Sequence, residues 1–144
     1  MFSFLLLRYK VLKRDDINAL DPFFKKLESV KDPTHVLTGL AMIRSLKGCP
    51  KQDPHTDYFT MRSHGKTKEC VLPYSGLVAV EHGSSIYVQG HKIDLPCRSA
   101  VLIRGDVVHN GSGYKKDNIR VHFYLDVAGV HEASAGTHVQ WSKD

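Results

Sequence analysis

Cysteine is scarce in this sequence, which contains three, Cys49, Cys70 and Cys97, with no C-x-x-C pair among them. A disulfide framework needs paired cysteines and a zinc ribbon needs C-x-x-C spacing, so both classes are disfavoured. We therefore expect a reducing, intracellular compartment, in which the cysteines act as small, buried apolar side chains.

Long apolar runs are also missing, and no segment approaches the length that a membrane-spanning helix requires. The apolar segment 2–7 has no basic residues before it and no small-residue cleavage site after it. We therefore expect a strand or packed segment there, and not a secretory signal peptide. Internal repeats, domain boundaries and basic–aromatic RNA-binding motifs are absent too, which favours one domain spanning residues 1–144.

The composition that is present is ordinary for a globular domain, with 42% hydrophobic and 24% charged residues among 144. The formal net charge is +5 and the isoelectric point is near 9.1. This balance is compatible with an anionic ligand or a nucleic acid, and equally with a basic surface that binds neither.

Short strands separated by Gly, Pro or Asp dominate the chain after residue 33. We predict strands over residues 36–46, 55–59, 77–81, 85–88, 92–95, 100–104, 107–110 and 119–127, with hairpin turns at 83–85 and 89–91. This pattern favours a mainly β sandwich or barrel.

The segment before these strands has apolar residues at helical spacing, which predicts a helix over residues 15–31. Asp15 or Asp16 can cap it, and Pro22 predicts a kink or two short helices. We divide the domain into N-terminal helical support (1–34), a β core (35–128) and a C-terminal tail (129–144).

The stretch 102–125 organises the rest of the chain. An apolar run ends at a tight Gly105-Asp106 turn, a short strand then brings His109 to a glycine-rich loop, and residues 119–125 form the last strand. Alternation places Arg120, His122 and Tyr124 on one face of that strand and apolar residues on the other. A buried guanidinium without a partner is costly, so the first face must meet water or an anion.

A second pattern, His55-x-Asp57, places two potential ligands on the same side of a strand. The motif is common by chance and gains value only from its context. Together with His109, it supplies the two histidines and one carboxylate of a non-haem Fe(II) facial triad. The alternative for His55 and Asp57 is a turn histidine with an Asx hydrogen bond.

In this order of residues, the chain resembles the Fe(II)- and 2-oxoglutarate-dependent dioxygenases. The resemblance spans residues 36–127 and rests on Cys-Pro-x-Gln-x-x-His-Thr-Asp (49–57), on Leu-Ile-Arg-Gly-Asp-Val-Val-His-Asn-Gly (102–111) and on Arg120-x-His122. It implies a double-stranded β-helix, or jelly roll, with short N-terminal helices.

The resemblance also implies roles for these residues. His55, Asp57 and His109 would hold Fe(II), and Arg120 would bind the distal carboxylate of 2-oxoglutarate through its planar fork. His122 stands where many members have a Ser or Thr that assists this arginine. Reaction with O2 would give succinate and CO2, coupled to hydroxylation or oxidative demethylation of a protein or peptide side chain, a nucleobase or a small molecule.

The chain departs from the family pattern on the strand before His55, which lacks the tyrosine that often binds 2-oxoglutarate. Tyr74, Tyr87 or Ser45 could substitute for it. Arg120 could alternatively form an ion pair with Asp126, Asp106 or Glu81, and His122 could be a core histidine.

Two other functions stay open at this point. One is a non-catalytic basic β-barrel that binds nucleic acid, and the other is a cupin-type metalloenzyme that does not use 2-oxoglutarate. The basic residues Arg62, Lys66 and Lys68 would lie near the mouth of the site or form a solvated loop.

Overall fold

The computed structural model describes residues 8–11, 20–58, 72–127 and 138–139. Two five-stranded antiparallel sheets face each other, in the orders β1-β2-β9-β4-β7 and β10-β3-β8-β5-β6. The strands are β1 Arg8–Val11, β2 His35–Ser45, β3 His55–Thr56, β4 Tyr74–Ala79, β5 Ser84–Val88, β6 His91–Leu95, β7 Ala100–Arg104, β8 His109–Gly111, β9 Asn118–Val127 and β10 His138–Val139.

Most consecutive strands between β2 and β9 lie in opposite sheets, which is the winding of a jelly roll. The exception is the hairpin of β5 and β6, where Gln89 and Gly90 form a two-residue turn with positive φ. The mainly β, jelly-roll prediction is therefore confirmed. The predicted hairpin at 83–85 is wrong, because the turn at Gly83 leads from one sheet to the other. Turn residues reveal a change of direction, but they do not reveal which strands pair.

The single described helix, α1 (Asp21–Val30), begins later than the predicted 15–31. Pro22 lies in its first turn, where a missing N–H costs nothing, and so it starts the helix without kinking it. Residues 15–19, with the candidate caps Asp15 and Asp16, lie outside the described residues. Strand β1, which pairs with β2, was not predicted at residues 8–11. The segment 2–7, where a strand or packed segment was expected, lies outside the described residues. No helix among the described residues is long and apolar enough to cross a membrane.

One face of β9 packs into an apolar cluster, as its alternation predicts. Val121, Phe123 and Leu125 are buried beneath α1 together with Leu27. Phe123 approaches the backbone of Gly76 so closely that a Cβ at that position would lie 2.1 Å from the ring. The opposite face of β9 looks into the space between the sheets, where it can line a site.

Candidate functional site

The site lies between the two sheets, near the ends of β3 and β8. These strands pair in antiparallel register, with His55 directly opposite His109. Asp57 follows two residues after His55, on the same side of the chain. The ligand atoms of His55, Asp57 and His109 all lie within 4.8 Å of one another, and all three residues are buried.

The backbone fixes the orientation of both imidazole rings. His55 Nδ1 is 2.7 Å from the Asp53 carbonyl oxygen, and His109 Nδ1 is 3.0 Å from the Val107 carbonyl oxygen. Because a carbonyl only accepts, each Nδ1 carries a proton and donates it. This arrangement directs both Nε2 atoms towards the shared centre, as in metal-binding histidines.

The Asp57 carboxylate lies between the two rings. Its Oδ1 is 3.7 Å from His55 Nε2, and its Oδ2 is 3.3 Å from His109 Nε2. Donors that share an octahedral ion with bonds of about 2.1 Å lie about 3 Å apart, so these spacings suit one divalent cation. The hydroxyl of Ser75 donates to Oδ2 and holds the carboxylate in place.

Electrostatics keep Asp57 ionised. Burial raises its pKa, but hydrogen bonds from His109 and Ser75 and the nearby histidine charge lower it more, to about 2. Burial depresses the pKa of His109, yet the bond to Asp57 more than compensates and the pKa rises overall. Burial lowers the pKa of His55, which is therefore neutral at pH 7. An anionic carboxylate beside inward-facing Nε2 atoms is a donor set for a borderline metal such as Fe(II).

Tyr58 anchors the segment that carries Asp57. Its hydroxyl donates to Asp126 Oδ1, and Thr38 donates to the other oxygen of the same carboxylate. Burial and then the bond to Asp126 raise the pKa of Tyr58, which stays a neutral donor. The backbone N–H of Tyr58 also bonds to the Gly105 carbonyl oxygen at 3.1 Å. The Gly105-Asp106 turn thereby supports the His55-x-Asp57 segment.

Arg120 faces the same cavity and is only 5% exposed. Its Nη1 donates to Asn118 Oδ1 at 2.9 Å, its Nη2 donates to Ser45 Oγ at 2.7 Å, and the guanidinium lies 4.6 Å from the Tyr114 ring centroid. These partners are all neutral. Burial lowers the pKa of Arg120, but a guanidinium stays charged at neutral pH.

The carboxylates suggested as ion-pair partners of Arg120 bond elsewhere. Asp106 pairs with Arg104, Asp126 accepts from Tyr58 and Thr38, and Glu81 accepts from the Ile119 N–H. Among the described residues, Arg120 therefore has no carboxylate partner. Within the described ranges, the contacts of its buried positive charge are neutral acceptors and an aromatic face, which leaves it available to an anion.

The cavity that joins these groups encloses about 750 Å³, including its open mouth. Its walls are formed by Ile43, Ser45, Cys49, Pro50, Gln52, His55, Asp57, Leu77, Ser85, Ile86, His109, Gly111, Ser112, Arg120, His122 and Tyr124.

His122 lies between the two charged ends of the cavity. Its Nε2 is 4.0 Å from Asp57 Oδ2, and its ring makes an edge contact with Tyr124 at 4.7 Å between centroids. Burial lowers its pKa. The structure thus brings the five candidate residues, His55, Asp57, His109, Arg120 and His122, to one cavity.

Sequence reasoning missed several neighbours of these residues. Asn118 had a usable signal, because it lies two residues before Arg120 on the same face of β9. Ser45 pairs with Asn118 across β2 and β9, and it was one of three suggested substitutes for the missing tyrosine. Tyr114 and Ser75 had no local signal, since long-range folding alone brings them to Arg120 and Asp57. The basic segment 60–69 lies outside the described residues.

Comparison with known proteins supports the fold. No protein-family model and no curated protein sequence matches this chain. A prolyl-4-hydroxylase from Pseudomonas putida is similar in structure, with a TM-score of 0.58 and 11% identity over 85% of this chain and 72% of that chain. A prolyl 4-hydroxylase from Phytophthora capsici is similar with a TM-score of 0.56 and 15% identity over 86% of this chain, which spans 48% of that chain.

A weaker structural match is to a DMSP lyase, with a TM-score of 0.49 and 9% identity over 71% of this chain and 43% of that chain. The present chain therefore spans less than half the length of two of these three proteins. At such low identities, the matches above a TM-score of 0.5 show that the chain has a double-stranded β-helix fold.

Proposed function

We propose that this protein is an Fe(II)- and 2-oxoglutarate-dependent dioxygenase that hydroxylates or oxidatively demethylates its substrate. The observation that carries the proposal is the placement of Arg120, a buried cation without a described carboxylate partner, in the cavity that also holds His55, Asp57 and His109. A metal chelator with a second, distal carboxylate would satisfy both groups at once.

His55, Asp57 and His109 would hold Fe(II) in this proposal, and all three also line the cavity. His55 and His109 offer Nε2, and Asp57 offers a carboxylate oxygen, with Ser75 and the two backbone carbonyls fixing their orientation. When bound, Fe(II) supplies the O2 chemistry that couples decarboxylation of 2-oxoglutarate to oxidation of a substrate C–H bond.

Arg120 binds the distal carboxylate of 2-oxoglutarate in this proposal. Arg120 and His122 are two residues apart on one strand, or about 7 Å along it. His122 is near Asp57, so Arg120 lies further from the metal, as a five-carbon dicarboxylate requires. Ser45, Asn118 and Tyr114 hold the guanidinium in one orientation before the anion arrives.

His122 has a different part from the Ser or Thr of the family pattern. Ser45 and Asn118 already accept hydrogen bonds from Arg120. In this protein they would therefore give the arginine the assistance that the Ser or Thr gives in the family pattern. We propose that His122 contacts the cosubstrate between its two ends. The substrate class, whether a protein or peptide side chain, a nucleobase or a small molecule, depends on the cavity mouth.

A thermal-unfolding assay under anaerobic conditions tests the proposed function. Fe(II), or Mn(II) as a stable substitute, should raise the melting temperature because it binds only the folded site. 2-Oxoglutarate should raise it further only when the metal is present, because the keto acid chelates the metal while Arg120 holds the far end.

Glutarate is the matched control ligand, since it has both carboxylates but lacks the keto group. It should give a smaller shift, with little dependence on the metal. Stabilisation by metal but not by 2-oxoglutarate would instead favour the cupin-type enzyme. Failure of any divalent metal to stabilise the folded protein, together with salt-sensitive binding to nucleic acid, would favour the binding module.

A further inference from the structure

Strand β6 leaves one edge of its sheet open. Among the described strands it ends the order β10-β3-β8-β5-β6 and pairs with β5 alone, and its residues 91–94 are all exposed. In the part of the chain that the structure describes, no backbone group bonds to β6 from the other side. An open edge of this kind is a template for another strand.

The hairpin geometry shows which backbone groups of β6 are free. The two-residue turn makes Val88 and His91 a hydrogen-bonded pair, and such pairs recur at every second residue. His91, Ile93 and Leu95 therefore direct their N–H and C=O groups towards β5. Lys92 and Asp94 direct theirs outwards, to the open edge.

The side chains of these two residues have opposite charges. Lys92 Nζ and Asp94 Oδ1 are 2.9 Å apart on the exposed face, and the side chains are 51% and 79% exposed. Ile93 lies between them and points to the opposite, inner face, since its partner Ile86 belongs to the core between the sheets. Ile93 is nevertheless 37% exposed, because none of the described strands covers it on the edge side.

We propose that this edge binds a second copy of the chain, through antiparallel pairing of β6 with its own equivalent about a two-fold axis at Ile93. In this register, Lys92 of one copy opposes Asp94 of the other, twice by symmetry. The backbone groups of Lys92 and Asp94 point outwards. Each Lys92–Asp94 pair across the axis would therefore form main-chain hydrogen bonds in addition to its charge attraction. The two Ile93 residues would face each other between these two charged pairs. They would form a close, non-hydrogen-bonded pair in which each side chain covers the other.

The other described edge strands, β1, β7 and β10, do not have this symmetry, because none of them contains an acidic residue. Strand β7 is an example. Pairing it with itself about Leu102 would place Ala100 opposite Arg104, which brings no opposite charges together. Charge complementarity therefore favours β6 over the other edges. It also favours a second copy of the chain, and not an unrelated strand, as the partner of β6.

The β6 edge is separate from the candidate site, since none of residues 91–95 lines the cavity. Association through β6 would extend the β10-β3-β8-β5-β6 sheet across two copies and leave both cavities open. The dimer can thus be tested without disturbing metal or 2-oxoglutarate binding, and the proposed function does not depend on it.

Sedimentation equilibrium across a wide micromolar range tests the proposal. The wild type should show a monomer–dimer equilibrium. Lys92→Asp should raise the dissociation constant at least about tenfold, because attraction becomes repulsion at two symmetric contacts. Asp94→Lys should do the same, and the double variant Lys92→Asp/Asp94→Lys should restore dimerisation, because opposite charges again face each other.

Lys116→Asp is the matched control, because it makes the same charge change at an exposed loop residue and should leave the dimer intact. Circular dichroism should show that all variants are folded, as expected for exposed positions. A wild type that stays monomeric throughout would overturn the proposal. So would a dimer that is indifferent to the single charge reversals, or one that the double variant fails to restore.

Discussion

Replacing Arg120 by methionine is expected to weaken 2-oxoglutarate binding by at least about 30-fold, while Fe(II) binding is unchanged. The loss follows from removing a buried, charge-assisted partner of the distal carboxylate, which typically costs about 2 kcal/mol or more. Calorimetric titration of 2-oxoglutarate into Mn(II)-loaded protein, without O2, measures the effect directly.

The same substitution should weaken 2-oxoglutarate binding without lowering the stability of the protein. Without an anion, Arg120 is a buried charge whose described partners are all neutral, so Arg120→Met should leave the free energy of unfolding unchanged or raise it by about 1 kcal/mol. Ser45 and Asn118 can still form hydrogen bonds after this substitution. The Ser45 hydroxyl can act as a donor, and Asn118 also accepts from Ser84. A structural arginine would behave differently, and its loss would destabilise the protein.

Arg44→Met is the control for this experiment. Arg44 lies on the neighbouring strand β2 and pairs with Asp117 at the surface. It does not line the cavity. Its removal should affect neither metal nor 2-oxoglutarate binding. A large loss of stability in Arg120→Met with unchanged 2-oxoglutarate affinity would contradict the proposed role of Arg120.

Asp57→Ala is expected to abolish turnover and to weaken Fe(II) binding by more than about 100-fold. Loss of a residue that only orients a ligand typically costs 10- to 100-fold in affinity, and loss of the anionic ligand itself should cost more. The remaining histidines, His55 and His109, are neutral donors in the metal-bound state and cannot replace the charge. Equilibrium competition against a coloured chelator measures the affinity.

Asp53→Ala provides the comparison for this prediction. Asp53 is exposed and close in sequence, and it bonds to His55 through its backbone carbonyl, which the substitution leaves in place. The Asp53→Ala protein should therefore bind Fe(II) normally. Wild-type-like succinate formation by the Asp57→Ala protein would argue against the assignment of the metal site.

The strand pattern could be predicted from the sequence because alternation and turn residues are local signals. The two-residue period of a strand places Arg120 and His122 on one face of β9. It places Val121 and Phe123 on the other face. The residues predicted at one site, His55, Asp57, His109, Arg120 and His122, do converge on one cavity. Their roles as ligands and cosubstrate contacts remain predictions.

What the sequence could not provide was the environment of each group. Nothing local indicates that Ser75 reaches Asp57, or that Tyr114 lies beneath Arg120, because these contacts depend on how the two sheets face each other. The start of α1 was misplaced for a related reason. Apolar periodicity continues through residues 15–20, whereas Pro22 fixes the first turn of the described helix.

The measurement that tests the central claim most directly is an anaerobic titration of Fe(II)-loaded protein with 2-oxoglutarate, followed by visible absorption. Chelation of the metal by the keto acid should produce a saturable charge-transfer band, which should need a much higher 2-oxoglutarate concentration in Arg120→Met. Absence of the band in a wild-type protein that demonstrably binds Fe(II) would contradict the account.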